Sequence, residues 1–273
     1  MGSVFSPYYA WARRSGAADP MNHCALNVAL YSPGAGRWCM TERGSSHCQR
    51  DASHFVIGPS QLHWDGHALT IDIDEVGMPL PRRVRGRVKL YPERLFNFST
   101  ALEDSGRHRW GPIAPQARVQ VDLDLPRQQW QGHAYLDSNE GDEPIERGFL
   151  HWDWSRGQLA DGSTAVIYDI EPDDPSAHVL ALRFMPDGRV LDFQAPMQKK
   201  LPRTAWGIGR RMRSDGPVQV LQQLEDTPFY QRSVLKSRLL GEELISFHET
   251  LNVPRLVHPV VQAMLPWRMP RRP

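Results

Sequence analysis

No run of the 273-residue sequence approaches the ~18 to 20 apolar residues that cross a bilayer, and the longest apolar segments are broken by Arg, Asp or Pro. The chain is therefore expected to be soluble or peripheral. A dominant charge sign is also missing. The 32 Lys and Arg face 31 Asp and Glu, so the positive field of a nucleic-acid binder is absent. Cysteine is scarce: Cys24, Cys39 and Cys48 form an odd set near the start, a poor match to the disulfide framework of a small secreted domain and a better one to a reducing cytoplasm. Met1 to Trp11 lack the basic start, apolar centre and cleavage site of a signal peptide and read as strand material. There is no glycine-rich phosphate loop before a helix and no Gly-x-Ser-x-Gly elbow, which removes the commonest nucleotide-dependent and hydrolytic classes.

What the sequence does contain is a succession of short Val-, Ile-, Leu- and aromatic-rich segments separated by turn residues, the pattern of antiparallel β structure. Expected strands are Val4–Arg13, Cys24–Tyr31, Arg37–Glu42, His54–Ile57, Gln61–Trp64, Ala68–Asp74 and Arg83–Leu90, with hairpin turns at residues 32–36 and at Asp65-Gly66. After an irregular stretch from Tyr91 to Gly106, a second set covers Ala117–Leu125, Gln129–Tyr135, Gly148–Trp154, Ser163–Asp169, His178–Phe184 and Val190–Gln194, with a turn at Pro186-Asp187-Gly188. Two β units, residues 1–106 and 107–226, follow, with a pair of barrels as the natural architecture. Thr227 before Pro228, and Phe229, Val234, Leu235 and Leu239 beyond, predict a short amphipathic helix over Pro228–Leu240. The rest of the 227–273 segment mixes Val257, Val260, Met264, Leu265, Trp267 and Met269 with Arg268, Arg271 and Arg272. Such a basic apolar tail suits a membrane surface or packing against the barrels, and its prolines rule out one continuous helix.

Several clusters invite a chemical reading that their spacing weakens. His23-Cys24 and His47-Cys48, with Cys39 and His54, are not zinc knuckles, because adjacent ligands on extended chain point to opposite faces. Asp137-Ser138-Asn139-Glu140-Gly141-Asp142 has its glycine one position early for a calcium loop and Gly148 where the bidentate Glu should stand. Asp72 with Asp74, and Asp122 with Asp124, alternate with apolar residues as on any half-solvated strand, and rank second as candidate acids.

The densest concentration of His, Trp, Tyr and acid lies between His108 and Trp154. On extended strands His108 and Trp110 share a face, as do Tyr135 and Asp137. An Asp among aromatic rings loses the water that solvates its charge, so its pKa rises and it retains a proton for general-acid work. The plain alternative is that Trp110 and Tyr135 are core, His108 is surface or satisfied, and Asp137 opens a turn. Spacing does not decide between them. Trp152, Trp154 and Tyr168 are further candidates for lining a substrate.

The segments GSVFSPYYAWAR, DPMNHCALNVALY, MTERG, DIDE, RHRWGPIAP, AYLDSNEGDEP, WDWSR, LEDTPFY and LPWRMPRR, in this order and nearly end to end, resemble the bacterial carotenoid 1,2-hydratases, also called hydroxyneurosporene synthases. The resemblance implies a mainly β protein of two lipocalin-like, calycin-type barrel domains. It also implies cofactor-free hydration of the 1,2 double bond of acyclic carotenoids such as neurosporene and lycopene, in spheroidene or spirilloxanthin biosynthesis. It assigns importance to His108, Trp110, Tyr135 and Asp137. The mechanism expected from their chemistry has Asp137 as proton donor, Trp110 and Tyr135 as cation stabilisers, and His108 as the group that orients Asp137 or takes a proton from water. No cofactor, metal or nucleic-acid partner is implied. The expected location is the cytoplasm, with peripheral contact at the cytoplasmic face of the inner membrane through the tail. Members of the family carry further N-terminal material, so the first barrel is expected to lack its first strands. The rival from another class is a lipocalin-like carrier that encloses a carotenoid or other isoprenoid without chemistry. A hydrolase would need two opposed carboxylates, which the sequence does not place.

Overall fold

Ser6 and Pro7 set the first element against the strand expected there. The Ser6 hydroxyl accepts a hydrogen bond from the Tyr9 amide and Pro7 occupies the first turn, so α1 (Pro7–Arg14) forms with Arg13 and Arg14 in its last turn. The computed structural model describes residues 1–34, 36–172 and 178–272, so Ala35 of the expected first turn lies outside the described residues.

Two compact units are present. The first comprises residues 1–92, 117–134 and 259–273. In it β1 (Cys24–Leu30) and β2 (Arg37–Arg43) form an antiparallel hairpin. β3 (Cys48–Arg50), β4 (His54–Ile57), β5 (Ser60–Trp64), β6 (Leu69–Val76) and β7 (Arg83–Pro92) pair successively as an antiparallel meander. Its core packs Cys39, Ile73, Val84, Val121 and Leu123.

The second unit comprises residues 93–116 and 135–258. After the two-residue β8 (Thr100–Ala101), two long strands, β9 (His108–Leu125) and β10 (Gln128–Gly141), begin or end in it. Residues 117–125 of β9 pair with β7, which is why the hairpin segment 117–134 groups with the first unit and why the partition differs from cuts at residues 106 and 226. The remaining strands are β11 (Phe149–Gln158), β12 (Thr164–Pro172), β13 (His178–Phe184), β14 (Val190–Asp192), β15 (Gln198–Leu201), β16 (Arg210–Arg213), β17 (Gln219–Asp226), β18 (Tyr230–Leu239) and β19 (Glu242–Asn252). Seven of them form one sheet in the order β14-β13-β12-β11-β19-β18-β17. A core of Leu159, Ala165, Ile167, Ala181, Leu239 and Leu244 fills one of its faces.

Two further expectations are corrected. Pro228–Leu240 is not a helix but holds β18, whose buried face is Gln231, Ser233, Leu235, Ser237 and Leu239. Three of those five are polar, so the period-two burial is invisible in hydropathy while the apolar residues fall by chance at helix-like spacing. Short helices do follow, at α2 (Val253–Leu256) and α3 (Pro259–Met264), before β20 (Arg271–Arg272) pairs parallel with β2. The seven-stranded sheet is open: its edges are the three-residue β14 and the twice-bulged β17, features that blunt an edge rather than close a ring. Among the described residues the protein is mainly β, and no closed barrel is found.

Candidate active site

β9 and β10 are neighbours in their sheet, and side-chain alternation brings Trp110 from one and Tyr135 and Asp137 from the other to one place. The indole Nε1 of Trp110 donates to Asp137 Oδ2 at 2.8 Å, and the Tyr135 hydroxyl donates to the same oxygen at 3.2 Å. β10 stays extended through Gly141, well past the expected end at Tyr135, so Asp137 sits within a strand rather than opening a turn or a calcium loop. Burial pushes its carboxyl above the ordinary range; the hydrogen bonds from Trp110 and Tyr135 oppose that rise, and the nearby charge of Glu249 adds to it.

Aromatic rings surround this carboxyl. Trp110, 1% exposed, meets Tyr168 edge-on at 5.7 Å between centroids, and Tyr135 packs on Trp154 at 5.6 Å. Trp152 meets Tyr168 at 5.8 Å. Strand pairing explains the grouping: Trp154 on β11 lies opposite Tyr168 on β12 and opposite Glu249 on β19, so all three side chains share one sheet face. Burial first, and then the charge of Asp137, push the hydroxyls of Tyr135 and Tyr168 well above their usual value, so both remain neutral donors. The structure thus brings together six of the seven residues singled out from the sequence.

His108 is the exception. It precedes Trp110 by two residues, ~6.6 Å along the strand. Its backbone N–H donates to Glu103 Oε1 at 2.8 Å and its Nδ1 lies 3.4 Å from that oxygen, too long and poorly aligned to count as a hydrogen bond. The ring rests on Phe149 at 4.7 Å and fits between Gly141 and Gly148, where an added Cβ would come within 2.9 and 2.8 Å of it. No hydrogen bond joins His108 to Asp137 among the described residues.

The other acids lie outside this cluster: Asp122 and Asp124 are exposed on β9, and Asp72, Asp74 and Asp153 are engaged elsewhere. Asp72 and Asp74 pair with Arg87 and Arg83, each at 2.6 Å, and those hydrogen bonds hold both carboxyls below the ordinary range. Asp153 points to the opposite face of β11, where Thr250 donates to it at 2.5 Å and His151 lies at 3.2 Å. Burial pushes Asp153 up, but these hydrogen bonds and the His248 charge outweigh it and leave the carboxyl depressed.

Two charged residues on the aromatic face escaped the sequence reading. Arg156 follows Trp154 by two residues and places its guanidinium carbon 4.8 Å from the Tyr135 ring centroid and 5.4 Å from that of Phe247. The period-two step from Trp154 was a signal for it. Glu249 accepts from Arg232 Nε at 3.0 Å, with Arg232 Nη2 at 2.9 Å. Glu249 lies in a region with no expected strand, so nothing in the sequence pointed to its face.

The family model described as carotenoid hydratase CrtC matches residues 1–273. The chain is 57% identical over 276 residues to the acyclic carotenoid 1,2-hydratase of Rubrivivax gelatinosus, covering all of this chain and 68% of that protein. Against the protein of the same name from Thiocapsa roseopersicina it is 49% identical over 274 residues, covering 99% of this chain and 67% of the other. The Cereibacter sphaeroides protein of that name is 39% identical over 277 residues, with 100% and 97% covered. A crystal structure titled as an AttH protein from Nitrosomonas europaea superposes with a TM-score of 0.59 at 13% identity, covering 80% of this chain and 77% of that one, and is informative for the fold alone.

Proposed function

The chain belongs to the carotenoid hydratase CrtC family, and from that premise we propose that Asp137 protonates the terminal double bond of an acyclic carotenoid in a carotenoid 1,2-hydratase. The enzyme is a hydro-lyase of carotenoid biosynthesis. The observation that carries the assignment to Asp137 is its carboxyl, raised by burial, held by Trp110 and Tyr135 and enclosed by rings.

The chemistry follows from charge stability. The Asp137 O–H bond breaks as the π electrons of C1=C2 take the proton at C2, which leaves the positive charge on the tertiary C1. Trp110, Trp154 and the neutral phenols of Tyr135 and Tyr168 offer electron-rich faces to that cation, each worth ~0.5 to 2 kcal/mol where water is excluded. Water then adds at C1 to give a tertiary alcohol. Neurosporene and lycopene are the acyclic carotenoids to try first. Dispersed in detergent and incubated with the enzyme, either should gain the mass of one water; an unchanged substrate with folded protein sinks the reading.

We read each unit as a lipocalin-like module whose sheets remain open. We also assign membrane contact to the tail. Val260, Met264 and Trp267, spaced four and three residues apart, are 59%, 50% and 74% exposed, while Gln262, Leu265 and Met269 are buried. Exposed Arg268, whose guanidinium lies over the Trp38 ring at 4.3 Å, and exposed Arg272 follow that apolar row, a combination suited to an anionic lipid surface from which an apolar substrate would come. Among the described residues no helix is long and apolar enough to cross a membrane.

A further inference from the structure

The sheet face that carries the aromatic enclosure also carries a second carboxylate, and its placement gives it work. Strand pairing draws one row across the sheet: Glu225 on β17 opposite Arg232 on β18, Arg232 opposite Glu249 on β19, Glu249 opposite Trp154 on β11, and Trp154 opposite Tyr168 on β12. Glu249 is therefore one strand from Trp154, ~4.8 Å, whereas Glu225 is two strands farther. Trp154 in turn packs on Tyr135, which donates to Asp137. Arg232 holds the Glu249 carboxylate through one oxygen.

Hydration needs a group of this kind. Once water has added to C1, the oxonium must lose a proton, and the acceptor is either the Asp137 carboxylate left by the first step or a second carboxylate on the same face. His108 is turned to Glu103, two residues away from Trp110 along the strand. Asp153 lies on the other face of β11, bound to Thr250. We infer that Glu249 is a further catalytic residue, the base that takes the proton of the attacking water, an assignment that rests on Asp137 being the donor.

The steps balance. Asp137 gives its proton to C2, water oxygen bonds to C1, and the oxonium proton passes to the Glu249 carboxylate. Exchange through water then returns a proton to Asp137 and restores Glu249, leaving alkene plus water converted to tertiary alcohol. Acid and base are distinct groups, so the cation can form without being captured when the base is missing.

That separation supplies the test, in deuterium oxide with lycopene in detergent. Glu249→Gln should lower kcat for hydration by about 10²-fold or more, with KM little changed. It should nevertheless wash deuterium into C2 of recovered lycopene, because Asp137 still protonates and deprotonates that carbon. Asp137→Asn should abolish both hydration and exchange. Wild-type kcat in Glu249→Gln overturns the proposal, as does a folded Glu249→Gln that neither hydrates nor exchanges. Exchange that survives Asp137→Asn instead overturns Asp137 as the donor.

Discussion

Trp110 and Tyr135 donate to one and the same oxygen of Asp137, at 2.8 and 3.2 Å, leaving Oδ1 without either donor. Hydrogen bonds to a carboxylate favour the charged form, so the two aromatics hold down a pKa that burial raises. The arrangement fixes the orientation of the acid while keeping its proton transferable.

Asp137 must be protonated to act, so activity is present below its folded pKa and is lost as pH rises through it. Trp110→Phe and Tyr135→Phe each remove a donor that favours the carboxylate. Both should therefore move the high-pH limb of kcat/KM to higher pH, although kcat falls. A limb that stays in place or moves down, measured between about pH 5 and 9, contradicts the geometry.

Asp137 and Asp153 should part company in stability. The folded pKa of Asp137 is raised, so its favourable contribution is complete below the unfolded value of about 4 and disappears as pH rises through the folded one. Asp137→Asn should match or exceed wild-type Tm at pH 7, with the difference growing from pH 4 upward. The folded pKa of Asp153 is depressed, so its contribution is present above about pH 4 and is lost as pH falls through the folded value. Asp153→Asn should lose about 3 to 5 kcal/mol at pH 7, read by urea unfolding, and much less in acid. Equal losses at pH 7 for the two variants would refute this division of roles.

His108 should act through its own surroundings. Burial raises the Glu103 carboxyl, but hydrogen bonds from Ser105 and His108 bring it down to about 2, so it stays ionised beside the ring. His108→Gln and Glu103→Gln should cost similar activity, and the double variant should be no worse than the poorer single one, as expected of residues in contact. Additive losses would separate them.

The tail is testable apart from the chemistry. Trp267→Ser combined with Met264→Ser, both exposed positions, should reduce co-sedimentation with phosphatidylglycerol vesicles several-fold while leaving turnover in detergent unchanged. Undiminished sedimentation would remove membrane contact from this segment.

Legibility followed the visibility of period-two patterning. β1, β4, β5 and β13 stand where Val-, Leu- and aromatic-rich runs marked them, because their apolar residues carry the alternation. β18 was read as a helix because Ser233 and Ser237 are buried polar positions that hydropathy scores as outward. The Ser6-Pro7 start of α1 was a readable capping signal that an apolar, aromatic composition overrode. At the site, the couplet Tyr135 with Asp137 was legible from spacing, whereas its contact with Trp110 depends on which strands are neighbours. Spacing put His108 beside Trp110, but only the loop that brings Glu103 to it shows where its ring is committed. Glu249 was illegible, since its face is defined by pairing with β11 nearly a hundred residues earlier.

The most direct measurement is hydration of lycopene in oxygen-18 water by wild type and by Asp137→Asn, with ligand binding and pH 7 stability followed in parallel. Wild type should place one labelled oxygen in the product. Asp137→Asn should bind the carotenoid and stay folded while forming labelled alcohol at least about 10²-fold more slowly. Labelled product from Asp137→Asn at the wild-type rate would contradict the assignment of Asp137 as the proton donor.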